Sequence, residues 1–251
     1  MKLQVYLLPI LIIAGLSCSN APTNSQEQST LKVFTPLETI EEETIPKGLD
    51  TIKYLALGDS YTIGQSVCGT CRFPEILKRD ILKNIDSISN FELSIIAQTG
   101  WTTTNLINAI ENENPNSHFN LATLLIGVNN EFQNKPFSLY QSEFPQLVNI
   151  AITKAKGNKD NVIVVSIPDY AYTPFGQGNP NISANLNTYN TFAKNYCDTN
   201  NISYVYITDI TRLGIENPNL VASDGLHPSE LAYSKFVQRL LPVAIEKLKK
   251  E

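Results

Sequence analysis

The sequence predicts an α/β fold built on a five-stranded parallel sheet, and two observations predict it. After Thr51, short apolar runs rich in β-branched and aromatic residues alternate five times with longer segments whose apolar residues recur every three or four positions. Strand and helix in that alternation make a parallel sheet covered on both faces and joined by right-handed crossovers. The second observation is size: 251 residues at 42% hydrophobic content can bury one sizeable core.

The chain begins outside that pattern. Met1-Lys2, the apolar run 5–16 and Ser17-Cys18 are too short to span a bilayer and fit a secretory signal over 1–18. Ser17-Cys18 resembles the lipobox of bacterial lipoproteins, although Gly15 departs from the aliphatic residue usual there; the alternative is ordinary cleavage with Cys18 incidental. Residues 19–50 are polar, sustain no apolar period and include Glu41-Glu42-Glu43, the composition of a flexible linker. The expectation is an exported protein of the bacterial cell envelope, held by a lipid on Cys18, with its folded domain over 51–251.

Within the domain the predicted strands are 52–57, 91–97, 121–126, 162–166 and 204–207. The predicted helices are 73–85, 103–110, 139–156, 184–197 and 229–250, with Gly157 as a stop for the third. In such a sheet the residues that follow each strand gather on one edge, where open α/β sheets bind ligands. The first strand delivers Gly58-Asp59-Ser60 to that edge, Gly58 allowing a sharp change of direction. No internal repeat is visible.

A net charge of -5 argues against nucleic acid as a partner. The chain has two histidines. His118 precedes a strand and so falls on the opposite edge. His227, in Asp224-Gly225-Leu226-His227-Pro228, stands directly before the last helix, and a turn at Gly225 can return the Asp224 carboxylate to one ring nitrogen, leaving the other for Ser60. Taken alone, Asp-x-x-His is equally a capping turn with a surface histidine. Gly100 and Asn129, after the second and third strands, can supply a backbone N–H and a side-chain amide to a developing oxyanion, or serve only as a turn residue and a loop cap. Asp59 is the competing carboxylate, read as a structural turn residue. The absence of Gly-x-Ser-x-Gly argues against the α/β-hydrolase fold.

In their order, Gly-Asp-Ser, Gly100, Gly127-x-Asn129 and Asp224-x-x-His227 resemble the GDSL/SGNH hydrolase family over nearly all of the domain. The resemblance implies a flavodoxin-like three-layer α/β/α sandwich. It also implies a serine esterase, lipase, thioesterase or carbohydrate deacetylase without metal or organic cofactor. Ser60 would then be the nucleophile, His227 the base and Asp224 its orienting carboxylate. The Ser60 and Gly100 N–H groups with the Asn129 amide would form the oxyanion hole. Asn130 departs from the Asp that many members carry, which implies altered support.

Cys68-Gly69-Thr70-Cys71 lacks further ligands for zinc and reads as a small disulfide beside the site, with free thiols or a redox centre as the alternatives. Cys197 reads as buried filler. Tyr61, Trp101, Tyr170 and Tyr172, with Phe132 and Phe175, follow strand ends and are candidates for the substrate cleft, and 170–181, rich in Pro, Gly and Asn, for a lid. Which small-molecule, lipid or glycan ester is cut is not encoded in these motifs. The competing function is a catalytically silent lipoprotein that binds a glycan or lipid in the same cleft.

Overall fold

The computed structural model describes residues 51–250. The signal, the lipidation at Cys18 and the linker expected over 1–50 lie outside the described residues. Five strands, β1 (Thr51–Gly58), β2 (Asn90–Ala97), β3 (Leu121–Leu125), β4 (Val162–Val165) and β5 (Ser203–Val205), form one sheet in the order β2-β1-β3-β4-β5. Every pairing is parallel. The central strands β3 and β4 are buried at every residue, as a sheet with both faces covered requires.

Five long helices stand close to their predicted places: α2 (Phe73–Leu82), α3 (Thr103–Glu113), α5 (Phe137–Lys154), α6 (Pro180–Asn200) and α8 (Glu230–Leu248). α2 and α8 pack together, while α3, α5 and α6 form a second set. Their starts follow from local chemistry. Thr102 and Asn105 close a reciprocal cap on α3, Asn179 caps α6 ahead of Pro180, and Ser229 caps α8. Asn179–Pro180 begins a helix inside the segment read as a loop, since Pro is tolerated where the first N–H has no intrahelical partner.

Three further helices were not predicted: α1 (Ser60–Ile63), α4 (Val128–Phe132) and α7 (Thr208–Thr211). Each has four or five residues, too few to establish a period, and each directly follows a strand end. The order 2-1-3-4-5 places the reversal of strand order between β1 and β3, and the crevice beyond the carboxyl ends of those two strands is where such a sheet receives ligands.

Candidate active site

The β1–α1 junction is built on close approach. Gly58 is not in the left-handed region; a Cβ there would meet the Thr62 hydroxyl and the Leu125 carbonyl, so the strand end packs against its neighbours only without a side chain. This replaces the expected reason, a sharp turn, with lack of space. Asp59 caps the following turn, its Oδ1 accepting Tyr61 N–H at 3.0 Å. It is fully buried, and Oδ2 has no hydrogen-bond partner among the described residues. Burial pushes its carboxyl up to about 7 despite the backbone donors. Ser60 opens α1, is 4% exposed, and lines the cleft at the switch point.

The turn before α8 is held differently. Asp224 Oδ1 accepts the N–H groups of Leu226 and His227 at 2.9 and 3.0 Å, which folds the turn around Gly225 at φ 72°. The His227 ring donates through Nδ1 to Asp224 Oδ2 across 2.6 Å, leaving Nε2 for the cleft that His227 lines. Burial works to raise the Asp224 carboxyl. Donors from Ser66, the His227 and Leu226 backbone and the His227 ring outweigh it and hold the carboxyl well below the usual range. An Asp–His pair so oriented fixes the imidazole tautomer and suits it to take a proton on the other nitrogen.

Two loops complete the cleft. Gly100 sits at φ 86° with open space where a Cβ would stand, in a turn closed by Trp101 N–H to Gln98 O at 3.2 Å. Asn129, on α4, donates one amide N–H to Trp101 O at 3.0 Å, which ties the β2–α3 and β3–α4 loops together. Gln133 reinforces the tie by donating to Gly100 O at 2.8 Å. Gly127 at φ 128° is required here, because a Cβ would approach Tyr140 to 2.6 Å and Ile167 to 2.8 Å.

Behind Asn129, the fully buried Asn130 accepts Thr103 N–H at 2.9 Å and donates to Thr103 Oγ1 at 2.6 Å. The Thr103 hydroxyl then donates to Glu143 on α5, which also takes the Thr104 hydroxyl. An amide fits this relay where a carboxylate would not. Asp at 130 would offer the Thr103 hydroxyl a second acceptor and no donor.

Ser60, Gly100, Asn129 and His227 thus line one cleft of about 170 Å³, together with Tyr61, Thr99, Val128, Phe132, Tyr170 and Leu226. Of the aromatic candidates, Tyr61, Phe132 and Tyr170 line it. Phe175 stands at its rim with its ring centroid 5.9 Å from that of Phe132. Trp101 and Tyr172 do not line it. The Trp101 side chain packs on the hydrophobic core, and Tyr172 falls two residues past Tyr170 on a tight turn, its carbonyl against Gly214.

The segment 170–181 is internally bonded. Gly178 N–H reaches Ala171 O at 2.7 Å, and Phe175 N–H reaches the Gly225 carbonyl at 3.0 Å. It therefore buttresses the Asp224 turn. Asp169, not singled out in the sequence, anchors this segment: buried, it accepts Ala171 N–H, the Ser183 hydroxyl and Arg212 Nε at 2.9 Å.

Cys68 and Cys71 are joined, with S–S at 2.01 Å. Cys197 is a buried thiol pushed up to about 12 by burial. His118 is exposed ahead of β3, away from the cleft. Among the described residues no group of three or more His, Cys, Asp or Glu could hold a metal ion. Sequence reasoning missed Ser66, Gln65, Glu143 and Asp169, whose roles arise from loop packing and leave no spacing to read.

Known proteins agree with this architecture. A lipase from a goat rumen metagenome superposes with a TM-score of 0.63 at 17% identity, covering 78% of this chain and 99% of its own. A member of the lipolytic G-D-S-L family from Veillonella parvula matches with a TM-score of 0.59 at 19% identity, covering 76% and 97%. An acetyl xylan esterase from Geobacillus stearothermophilus matches at 0.58 and 16% identity, covering 77% and 94%. At these identities the likeness establishes the fold. No curated protein sequence matches the chain. The model of the GDSL-like lipase/acylhydrolase family matches residues 56–235, most of the chain and every segment of the cleft. The chain belongs to the GDSL-like lipase/acylhydrolase family and is a carboxylic ester hydrolase.

Proposed function

We propose that this protein cleaves its ester by two displacements through an acyl-enzyme on Ser60. The observation that carries the reading is the convergence of Ser60, Gly100, Asn129 and His227 on one cleft, with His227 Nδ1 already engaged by Asp224 at 2.6 Å. His227 Nε2 takes the Ser60 proton as Oγ attacks the acyl carbon. The negative charge that grows on the carbonyl oxygen meets the Ser60 and Gly100 N–H groups and the Asn129 amide N–H not spent on Trp101. Collapse expels the alcohol, protonated by His227. Water, deprotonated by the same nitrogen, then attacks the acyl-enzyme and releases the acid.

The substrate is an acyl or acetyl ester of a lipid, glycan or small molecule. Phe132, 46% exposed, and Phe175, 54% exposed, give the cleft an aromatic rim suited to an acyl chain or a sugar face. A fluorophosphonate should label Ser60, and Ser60→Ala should abolish both labelling and hydrolysis of p-nitrophenyl acetate. Labelling at another residue, or hydrolysis retained by the variant, contradicts the mechanism. A panel of p-nitrophenyl esters ordered by acyl length then reads the acyl preference of the cleft.

Export with a lipid on Cys18 is part of this proposal and rests on the sequence of 1–18. The Cys68–Cys71 disulfide suits an oxidising compartment. Metabolic labelling with a fatty acid that Cys18→Ala eliminates is the expected result; label surviving in the variant rejects it.

A further inference from the structure

We propose that Ser66 is a positioning residue for ester hydrolysis, holding the Asp224 carboxylate in register with His227. The inference rests on the reading of Asp224 as the carboxylate that orients the base. Ser66 Oγ donates to Asp224 Oδ2 at 2.5 Å, the same oxygen that receives His227 Nδ1 at 2.6 Å. Two donors on one oxygen and two backbone donors on the other leave the carboxylate little freedom to rotate.

Ser66 reaches Asp224 from the nucleophile's own side of the cleft, 158 positions away in the chain. It does so in a left-handed conformation, φ 67°, which serine rarely adopts. Its neighbours fix that conformation. Gly64 and Gln65 N–H both donate to Ser60 O, Cys71 N–H donates to Cys68 O, and the Cys68–Cys71 bond closes the next turn. Gln65 also accepts the Thr99 hydroxyl at 2.7 Å, one residue before Gly100. The segment 64–67 therefore touches all three parts of the site: the nucleophile through Ser60 O, the oxyanion loop through Thr99, and the acid through Ser66.

Two substitutions at 66 separate the hydroxyl from the backbone. Ser66→Gly suits a positive φ but deletes the donor; Ser66→Thr keeps the donor but places a β-branched residue where it fits poorly. With p-nitrophenyl acetate, Ser66→Gly should lower kcat about tenfold, the scale of a hydrogen bond to a charged group, with KM within about twofold. Its thermal midpoint should hold or rise. Ser66→Thr should do the reverse, keeping kcat while melting earlier. The fluorophosphonate labelling rate of Ser60 should follow kcat.

A double-mutant cycle with Asp224→Asn decides whether Ser66 acts through Asp224. The double variant should be no slower than Asp224→Asn alone. Losses that multiply, or wild-type kcat in Ser66→Gly, overturn the inference while a slow Asp224→Asn leaves the triad standing. Full activity in Asp224→Asn overturns the triad reading itself.

Discussion

Asp59, next to Ser60 in the chain, is fully buried and leaves Oδ2 without a partner among the described residues, whereas Asp224, with its side chain 29% exposed, collects four donors. Burial drives the first carboxyl up to about 7; in the second it is overcome by hydrogen bonds, and the carboxyl stays ionised far into acid. The contrast teaches that proximity in sequence is a poor guide to which acid serves a serine. A carboxylate that orients a histidine must keep its charge at neutral pH, and that requires donors more than enclosure. The Ser60 turn is organised by lack of space, and the Asp224–His227 turn by hydrogen bonds.

Substitutions that exploit this difference should rank in a definite order. Asp224→Asn removes the charge behind His227 and offers its ring the wrong tautomer, so kcat should fall roughly 10⁴-fold with little change in KM. A loss confined to KM would break the comparison. Asn129→Ala, which removes the proposed side-chain oxyanion donor and the tie to Trp101, should lower kcat roughly 10²- to 10³-fold.

Asn130→Asp tests the relay behind the oxyanion loop. With no donor for Thr103 Oγ1, the buried network loses about 1–3 kcal/mol, read as an earlier thermal transition, and kcat falls less than in Asn129→Ala. An unchanged melting point would show that the amide is not needed there.

The last effect falls on stability alone, as a pH dependence. The folded Asp59 holds its proton up to about 7 while the unfolded chain releases it near 3.8. The folded state therefore binds more protons across that window, and stability falls as pH rises through it, by at most about 1.4 kcal/mol per pH unit. Asp224 has the opposite sign, its contribution being present above the ordinary carboxylate range and lost only as pH falls below it. Thermal midpoints of Asp59→Asn should lose the decline between about pH 4 and pH 7. A decline that persists in the variant assigns it to another group.

Much of this was legible in the sequence because long periods and short motifs were both present. β1 to β5 and the five long helices follow from apolar spacing, and their edges moved by a few residues where caps such as Asn179 and Ser229 decided the start. Ser60, Gly100 and Asn129 could be placed on one edge from strand ends, and His227 through the Asp-x-x-His turn before the last helix; the structure puts all four on one cleft. Side-chain direction was not legible. Trp101 and Tyr172 follow strand ends as Tyr61 and Tyr170 do, yet neither lines the cleft, Trp101 packing on the core instead. Nor was the wiring between loops, since Ser66 to Asp224 and Thr103 to Glu143 join residues whose separation carries no period. Gly58 shows a third limit: a glycine can be required by its neighbours' volume and not by its own backbone angles.

The central claim is that Asp224, and not the adjacent Asp59, orients the base for Ser60. The rate at which a fluorophosphonate labels Ser60 at neutral pH, compared between Asp224→Asn and Asp59→Asn, tests it most directly. The account predicts labelling slowed by roughly three orders of magnitude or more in Asp224→Asn and by less than about tenfold in Asp59→Asn. Slow labelling in Asp59→Asn with near-normal labelling in Asp224→Asn would contradict it.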